Sequence, residues 1–241
     1  MDEWPLLDWY AAVKRPLPWR DTRDPYAILV SEVMLQQTQA ARVVPYYERF
    51  LQRFPDAAAL AASEPAEVLA LWSGLGYNRR ALALRRAAAV VAAHGWPDDL
   101  QALPGVGPYT AAAVASFAFG ARVAAVDVNW RRVAHRHGSA PPGGPEVNQA
   151  MMELGATVCT ARRPQCDACP VRAGCAGHAD PPRRRSAGSF EGSDRQLRGR
   201  AVAALLAGRP LPAGADRVLP GLEHDELVVR DHDGEPRLPR R

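Results

Sequence analysis

At 241 residues, 47% of them hydrophobic, the chain is long enough to bury a real core and to hold one large domain plus a small one, which excludes a disordered or fibrous class. The N-terminal stretch MDEWPLLDWY carries acids and no apolar signal region, and no uncharged apolar run approaches the length of a membrane span, so a globular cytoplasmic protein is expected. Lys plus Arg exceed Asp plus Glu by only 30 to 26, but the basic residues gather in NRRALALRR, WRRVAHR, TARRPQC and PPRRRS. Such clusters suit a polyphosphate partner, although solvated helix faces give the same pattern.

In chain order, Asp24-Pro25 offers an N-cap and a first-turn proline, and PYAILVSEVMLQQTQAARVVPYYERF then predicts helix, interrupted or bent near Pro45. Within it Glu32 follows Ile28 by four positions and Leu29 by three, and precedes Leu35 by three, so a carboxyl lies on an apolar stripe. Exposure is the usual fate of a glutamate; burial would favour the protonated form that a general acid needs. Helical patterns continue at PAEVLALWSGL, RRALALRRAAAVVAAH, PYTAAAVASFAF, VNWRRVAHR and EVNQAMMELGATV, and strand-like alternation is absent before residue 200.

In LPGVGPYTAAAV, Gly105 and Gly107 permit a tight turn and a close backbone approach, with N–H groups exposed at the start of the next helix. Those groups suit a DNA phosphate, and a purely structural corner between helices would use the same glycines. Asp127 in VDVNWRRV opens a helix, where it reads as an N-cap; the same backbone N–H groups would hold its carboxylate ionised. All four cysteines fall in CTARRPQCDACPVRAGC as Cys159, Cys166, Cys169 and Cys175, spaced C-x6-C-x2-C-x5-C. Crowding of this kind favours thiolate ligation of a metal centre over disulfides, and with only one close pair the spacing leans to an iron–sulfur cluster over zinc. From Pro181, PPRRRSAGSFEGSD reads as a basic linker containing Arg183 to Arg185. RQLRGRAVAALLAG then predicts a helix and DELVVRDHDGEPRLP a hairpin around Asp233-Gly234, together a small winged-helix-like tail. The boundaries expected are a core over 1–180 with its cysteine loop at 159–175, a linker over 181–194 and a tail over 195–241.

The cysteine spacing resembles the [4Fe–4S] loop of the endonuclease III and MutY-type DNA glycosylases, and LPGVGPYTAAAV followed by VDVN resembles their helix-hairpin-helix and catalytic aspartate. Three further segments, LPWR at 17–20, SEVMLQQTQ at 31–39 and GLGY at 74–77, are similar to the adenine DNA glycosylase branch, as is VNQAMMELGATVC at 147–159. The resemblance covers most of residues 15 to 178, in family order. It implies an all-α helix-hairpin-helix core with a cluster loop, acting as a monomer on double-stranded DNA to remove adenine mispaired with 8-oxoguanine or guanine. By it, Glu32 protonates the adenine and Asp127, assisted by Asn129, stabilises the sugar cation. Gly105, Val106 and Gly107 grip the DNA backbone, and Trp19, Arg20, Leu35 and Gln149 surround the adenine. Gln37, Thr38, Leu75 and Tyr77 reach through the duplex to the opposite base, and the four cysteines hold the cluster.

Tyr109 stands where bifunctional relatives carry a Schiff-base lysine, and the chain's only lysine, Lys14, lies outside the matching motifs, so a monofunctional enzyme is implied. Taken without the family, Tyr109 and Trp19 read equally as core aromatics, and Arg20 and Gln37 as solvated. Three departures stand out. Val128 replaces the family's usual glycine, only a short glycine-proline link joins WRRVAHR to EVNQAMM, and the tail is too small for the Nudix-like domain that ends typical members. The alternatives left open are a thymine or uracil mismatch glycosylase on the same fold, and a non-catalytic DNA-binding module with a structural cluster.

Overall fold

The computed structural model describes residues 4–177 and 189–239. Much of the basic linker, including Arg183 to Arg185, lies outside the described residues. The chain divides into two compact units, each assembled from two stretches: 1–32 with 106–185, and 33–105 with 186–241. The described secondary structure is helical apart from one short hairpin in the tail.

In the first unit, α1 (Trp4–Val13), α8 (Val128–His137) and α9 (Pro145–Thr157) pack around Leu6, Tyr10, Trp130, Val133, Met151 and Leu154, all buried. Local chemistry fixes the ends of α8. The carboxylate of Asp127 accepts from the Trp130 N–H at 2.6 Å as an N-cap, and Gly138 closes the helix in the left-handed region at φ 82°. The link 139–144 is short, and Pro145 starts α9 with a residue whose missing N–H needs no partner there. Gly155 of α9 passes over the first turn of α8, where a Cβ would lie 2.6 Å from that of Asn129. Asn148, fully buried, accepts from Ala125 N and donates to Val123 O and Ser116 Oγ, which fastens the segment leading into Asp127. The same unit holds most of α2 (Pro25–Leu35) and all of α7 (Pro108–Phe117).

The second unit contains α3 (Ala40–Arg53), α4 (Ala57–Ala62), α5 (Pro65–Trp72) and α6 (Arg79–His94), followed after the linker by α10 (Asp194–Leu206), α11 (Leu219–His224) and a hairpin, β1 (Val229–Arg230) with β2 (Pro236–Arg237). Phe50 meets Phe54 and Trp72 edge to face, with centroids 5.1 and 6.1 Å apart, at the centre of an apolar core that includes Leu60, Leu69 and Leu84. The long helix expected over 25–50 is in fact two: the break falls at 36–39, where Gln37 adopts φ 61°, and α3 continues through Pro45 with one backbone donor missing. The tail has the expected helix and hairpin, with α11 between them; α10 packs against α5.

Candidate active site and nucleic-acid interface

α2 carries Glu32 into an apolar environment where it is only 4% exposed. Its apolar neighbours in sequence are the reason: the stripe that packs the helix takes the carboxyl with it. Burial pushes the Glu32 carboxyl up to about 7; a hydrogen bond from the Tyr109 hydroxyl to Oε2, at 2.8 Å, pulls the other way, and the charge of Asp127 pushes up again. Tyr109 itself is held well above the ordinary range by burial and by the two carboxylates, so at neutral pH it remains a donor.

Asp127 is half-buried, and both its oxygens are engaged: Oδ1 by the Trp130 N–H and Oδ2 by the Asn129 side-chain amide at 3.0 Å. Burial raises its carboxyl, against those hydrogen bonds and the nearby Arg132 cation. The N-cap and the charged group are thus one residue. Asn129 Oδ1 accepts from Arg132 at 2.7 Å, and Arg132 also donates to Gly155 O and to Cys159 O, at 2.5 and 2.8 Å. Sequence reasoning passed over Arg132; its position three residues after Asn129, on the same helical face, was the available signal.

Cys159, Cys166, Cys169 and Cys175 line one cavity of about 240 Å³, and none is in a disulfide. Among the described residues no group of three or more His, Cys, Asp or Glu side chains converges as a single metal ion requires. Four thiols around a shared space are the donor set that a metal centre held by thiolates requires. Arg136, buried at 3% exposure, lies against the loop: it donates to Thr160 O at 2.8 Å and approaches the sulfur of Cys159 at 3.5 Å. Arg162 and Arg163 between the ligands are exposed.

Elsewhere in the first unit, Trp19 is buried, and Arg20 is anything but solvated. Its guanidinium donates to Glu153 at 2.6 Å and to Arg15 O at 2.8 Å, and sits 5.4 Å from the Tyr10 ring centroid. Glu153 is 1% exposed; burial would raise its carboxyl, but the hydrogen bonds from Arg15 and Arg20 outweigh that and hold it low. Gln149 accepts from the Tyr10 hydroxyl at 2.5 Å. Glu153 was not singled out from sequence, since a carboxylate in a helix has no signature of its partner until the fold supplies one.

In the second unit, Leu35 ends α2, Gln37 is exposed in the left-handed region, and Thr38 is partly buried beside it. In the GLGY loop Tyr77 is 43% exposed at φ 50°, whereas Leu75 is buried at 6%. Arg80 joins the two loops, donating to Val33 O and Gln36 O, each at 2.6 Å, and to Gly76 O at 3.2 Å. In the hairpin turn, Gly105 is required by the fold, with φ 76° and a Cβ that would come 2.7 Å from Ala83; Val106 is buried. Gly107 is not required: its φ is −89°, and a Cβ there would meet nothing within 4 Å. A glycine that the fold does not need, at the exposed start of α7, fits the close approach of a partner.

An all-helical unit carrying a buried acid, a capping aspartate and a four-cysteine loop defines a base-excision class of protein, and the comparisons agree. The model of the HhH-GPD superfamily of base excision DNA repair proteins matches residues 30–157, and that of the iron–sulfur binding domain of endonuclease III matches residues 159–175. The chain is 43% identical to an adenine DNA glycosylase of Mycobacterium tuberculosis, over 97% of this chain and 92% of the relative. It is 41% identical to that of Mycolicibacterium smegmatis, over 95% and 93%. Among solved structures, a thermostable thymine-DNA glycosylase superposes with a TM-score of 0.66 at 30% identity, covering 71% of this chain and 92% of that one. The chain therefore belongs to the HhH-GPD superfamily and, within it, to the adenine DNA glycosylase family, with the four-cysteine loop of its iron–sulfur members.

Proposed function

We propose that this chain is a monofunctional glycosylase that binds double-stranded DNA as a monomer and hydrolyses the N-glycosidic bond of adenine mispaired with 8-oxoguanine or guanine. The observation that carries the reading is the buried Glu32–Tyr109 pair, a carboxyl with its proton affinity raised to about 7 and one oxygen already occupied by a hydroxyl. Identity of 41–43% to adenine DNA glycosylases supports adenine over thymine as the base removed, since the thymine enzyme stands at 30%.

On this reading the adenine leaves the stack, and Gln37, Thr38 and Tyr77 fill the gap and face the opposite base, with Leu75 as their buried support. Trp19, Arg20, Leu35 and Gln149 border the base. Glu32 donates its proton to a purine ring nitrogen, which turns the base into a neutral leaving group. Asp127, held by the Trp130 N–H and Asn129, supplies negative charge to the cation that develops on the sugar. Water then completes hydrolysis and leaves an abasic site. Tyr109 has no amine, so no Schiff base forms and the strand stays intact. The N–H groups following Gly105, Val106 and Gly107 take a backbone phosphate, which positions the duplex without reading sequence. Cys159, Cys166, Cys169 and Cys175 hold a [4Fe–4S] cluster, which ties the loop together and presents Arg162 and Arg163 to phosphates.

A strand-nicking assay on duplexes carrying A, T or U opposite 8-oxoguanine or guanine tests this. Cleavage that requires alkali and occurs only with adenine is the expected result. Excision of T or U would assign the chain to the sister activity, and cleavage without alkali, or a borohydride-trapped adduct, would overturn the monofunctional mechanism. Purified protein should contain about four irons per chain; one zinc and no iron would refute the cluster.

A further inference from the structure

Tyr77 has an unusual setting for an exposed aromatic. Its backbone lies at φ 50°, a left-handed conformation that a non-glycine residue keeps only where its surroundings hold it there. Two guanidinium groups flank the ring. One belongs to Arg80, 5.3 Å from the centroid; the other to Arg195, 5.9 Å from it, which also donates from Nη1 to the Tyr77 hydroxyl at 3.0 Å. Arg195 lies 118 positions away, in the first turn of α10 in the tail.

That first turn is built to be rigid. Ser193 caps it by accepting from Gln196 N at 3.3 Å, Gln196 reaches back to accept from Gly192 N at 2.9 Å, and Asp194 pairs with Arg217 at 2.9 Å. The pattern is that of a capping box with the returning bond displaced by one residue, to the N–H preceding the N-cap. Phe190, 53% exposed, also lies against Arg195, with its ring centroid 4.9 Å from the guanidinium. The series Phe190, Arg195, Tyr77, Arg80 thus alternates rings and cations: Phe190 at one end is exposed, and Arg80 at the other is half-buried and held by the Val33 and Gln36 carbonyls. Stacks of this composition hold an aromatic at a fixed attitude and offer π-faces and charge to nucleic acid.

Resting on the reading above that Tyr77 enters the duplex opposite the flipped adenine, we propose that Arg195 is a positioning residue for Tyr77. Through this contact the C-terminal tail sets how strongly the enzyme distinguishes 8-oxoguanine from guanine. The tail therefore acts on lesion recognition by fixing the wedge, and needs no base-reading pocket of its own. A tyrosine free to swing would still fill the gap, but would lose its defined approach to the edge of the opposite purine, where the two bases differ.

The test is a double-mutant cycle in the full cluster-loaded chain, comparing wild type, Arg195→Ala, Tyr77→Leu and the double variant in single-turnover excision of adenine opposite 8-oxoguanine and opposite guanine. Arg195→Ala should reduce the ratio of the two rates by roughly fivefold to thirtyfold, as loss of a charge-assisted hydrogen bond and a cation–π contact would. In the Tyr77→Leu background, removal of Arg195 should change the ratio by less than about twofold. A 2-aminopurine beside the opposite base should show a smaller fluorescence rise on binding Arg195→Ala than on binding wild type, a signature that mere loss of tail stability would not give while the melting temperature is unchanged. Equal losses in both backgrounds, or an unchanged ratio in Arg195→Ala, would overturn the inference while leaving the glycosylase reading intact. A wild-type chain that removes no adenine from either duplex would defeat that reading first, and this inference with it.

Discussion

The acid site and the wedge solve opposite problems. On the proposed function Glu32 keeps a proton at neutral pH; it is buried among apolar residues of its own helix, and the Tyr109 hydroxyl donates to it. On the proposed function Tyr77 and Gln37 enter another molecule; both are exposed non-glycine residues in the left-handed region, and Arg80 bridges the backbone of their two loops. Burial supplies chemistry in one unit, and cations supply geometry in the other. A substitution in the first should alter rate and proton affinity, and one in the second should alter selectivity.

The largest effect should come from Glu32→Gln, which keeps shape and removes the transferable proton: excision should fall by about 10²–10⁴-fold while duplex affinity, followed by fluorescence anisotropy, changes little. Asp127→Asn retains a side chain able to cap α8, so the melting temperature should hold while single-turnover excision falls about 10²–10³-fold. If activity is equal to wild type, Asp127 is a cap and nothing more.

Glu32 also ties the comparison to stability. Its folded carboxyl is raised from 4.5 to about 7, so the unfolded chain loses this proton first, and the fold is penalised progressively as pH rises from about 4.5 to 7. Glu32→Gln should therefore be more stable than wild type at pH 8, by up to about 3 kcal/mol, with the difference vanishing below pH 4.5. Denaturant melts at the two pH values check the sign; a destabilised variant at pH 8 would mean that the carboxylate is accommodated.

The hairpin glycines give the smallest effects and the finest separation. Gly105→Ala meets Ala83 and a positive φ, and should cost about 1–3 kcal/mol of stability. Gly107→Ala meets open space at φ −89°, so its melting temperature should match wild type while duplex affinity drops. A normal affinity for Gly107→Ala would remove the phosphate role from that turn.

Much of the helical order was legible because apolar spacing, caps and prolines are local. Asp24-Pro25, Asp127 and Asp233-Gly234 each announce a boundary within a few residues of themselves, and the cysteine loop reads from spacing alone. The break at 36–39 was not legible: MLQQTQ has no glycine or proline, and the hold that supports the conformation of Gln37 includes the tertiary bonds of Arg80 to Val33 and Gln36. The Tyr109–Glu32 pair spans 77 positions and the Tyr77–Arg195 pair 118, and no periodicity connects residues so far apart. Arg20 and Glu153 illustrate the same limit, since each alone reads as a solvated charge and together they form a buried ion pair.

The claim that everything else depends on is that Glu32 acts as a buried acid. Its most direct test is the pH dependence of single-turnover adenine excision opposite 8-oxoguanine, with substrate-saturated enzyme between pH 5.5 and 9. A rate that is level below about 7 and falls tenfold per unit above it is the predicted result, because only the protonated carboxyl can donate. A rate that stays constant to pH 9 would contradict the account.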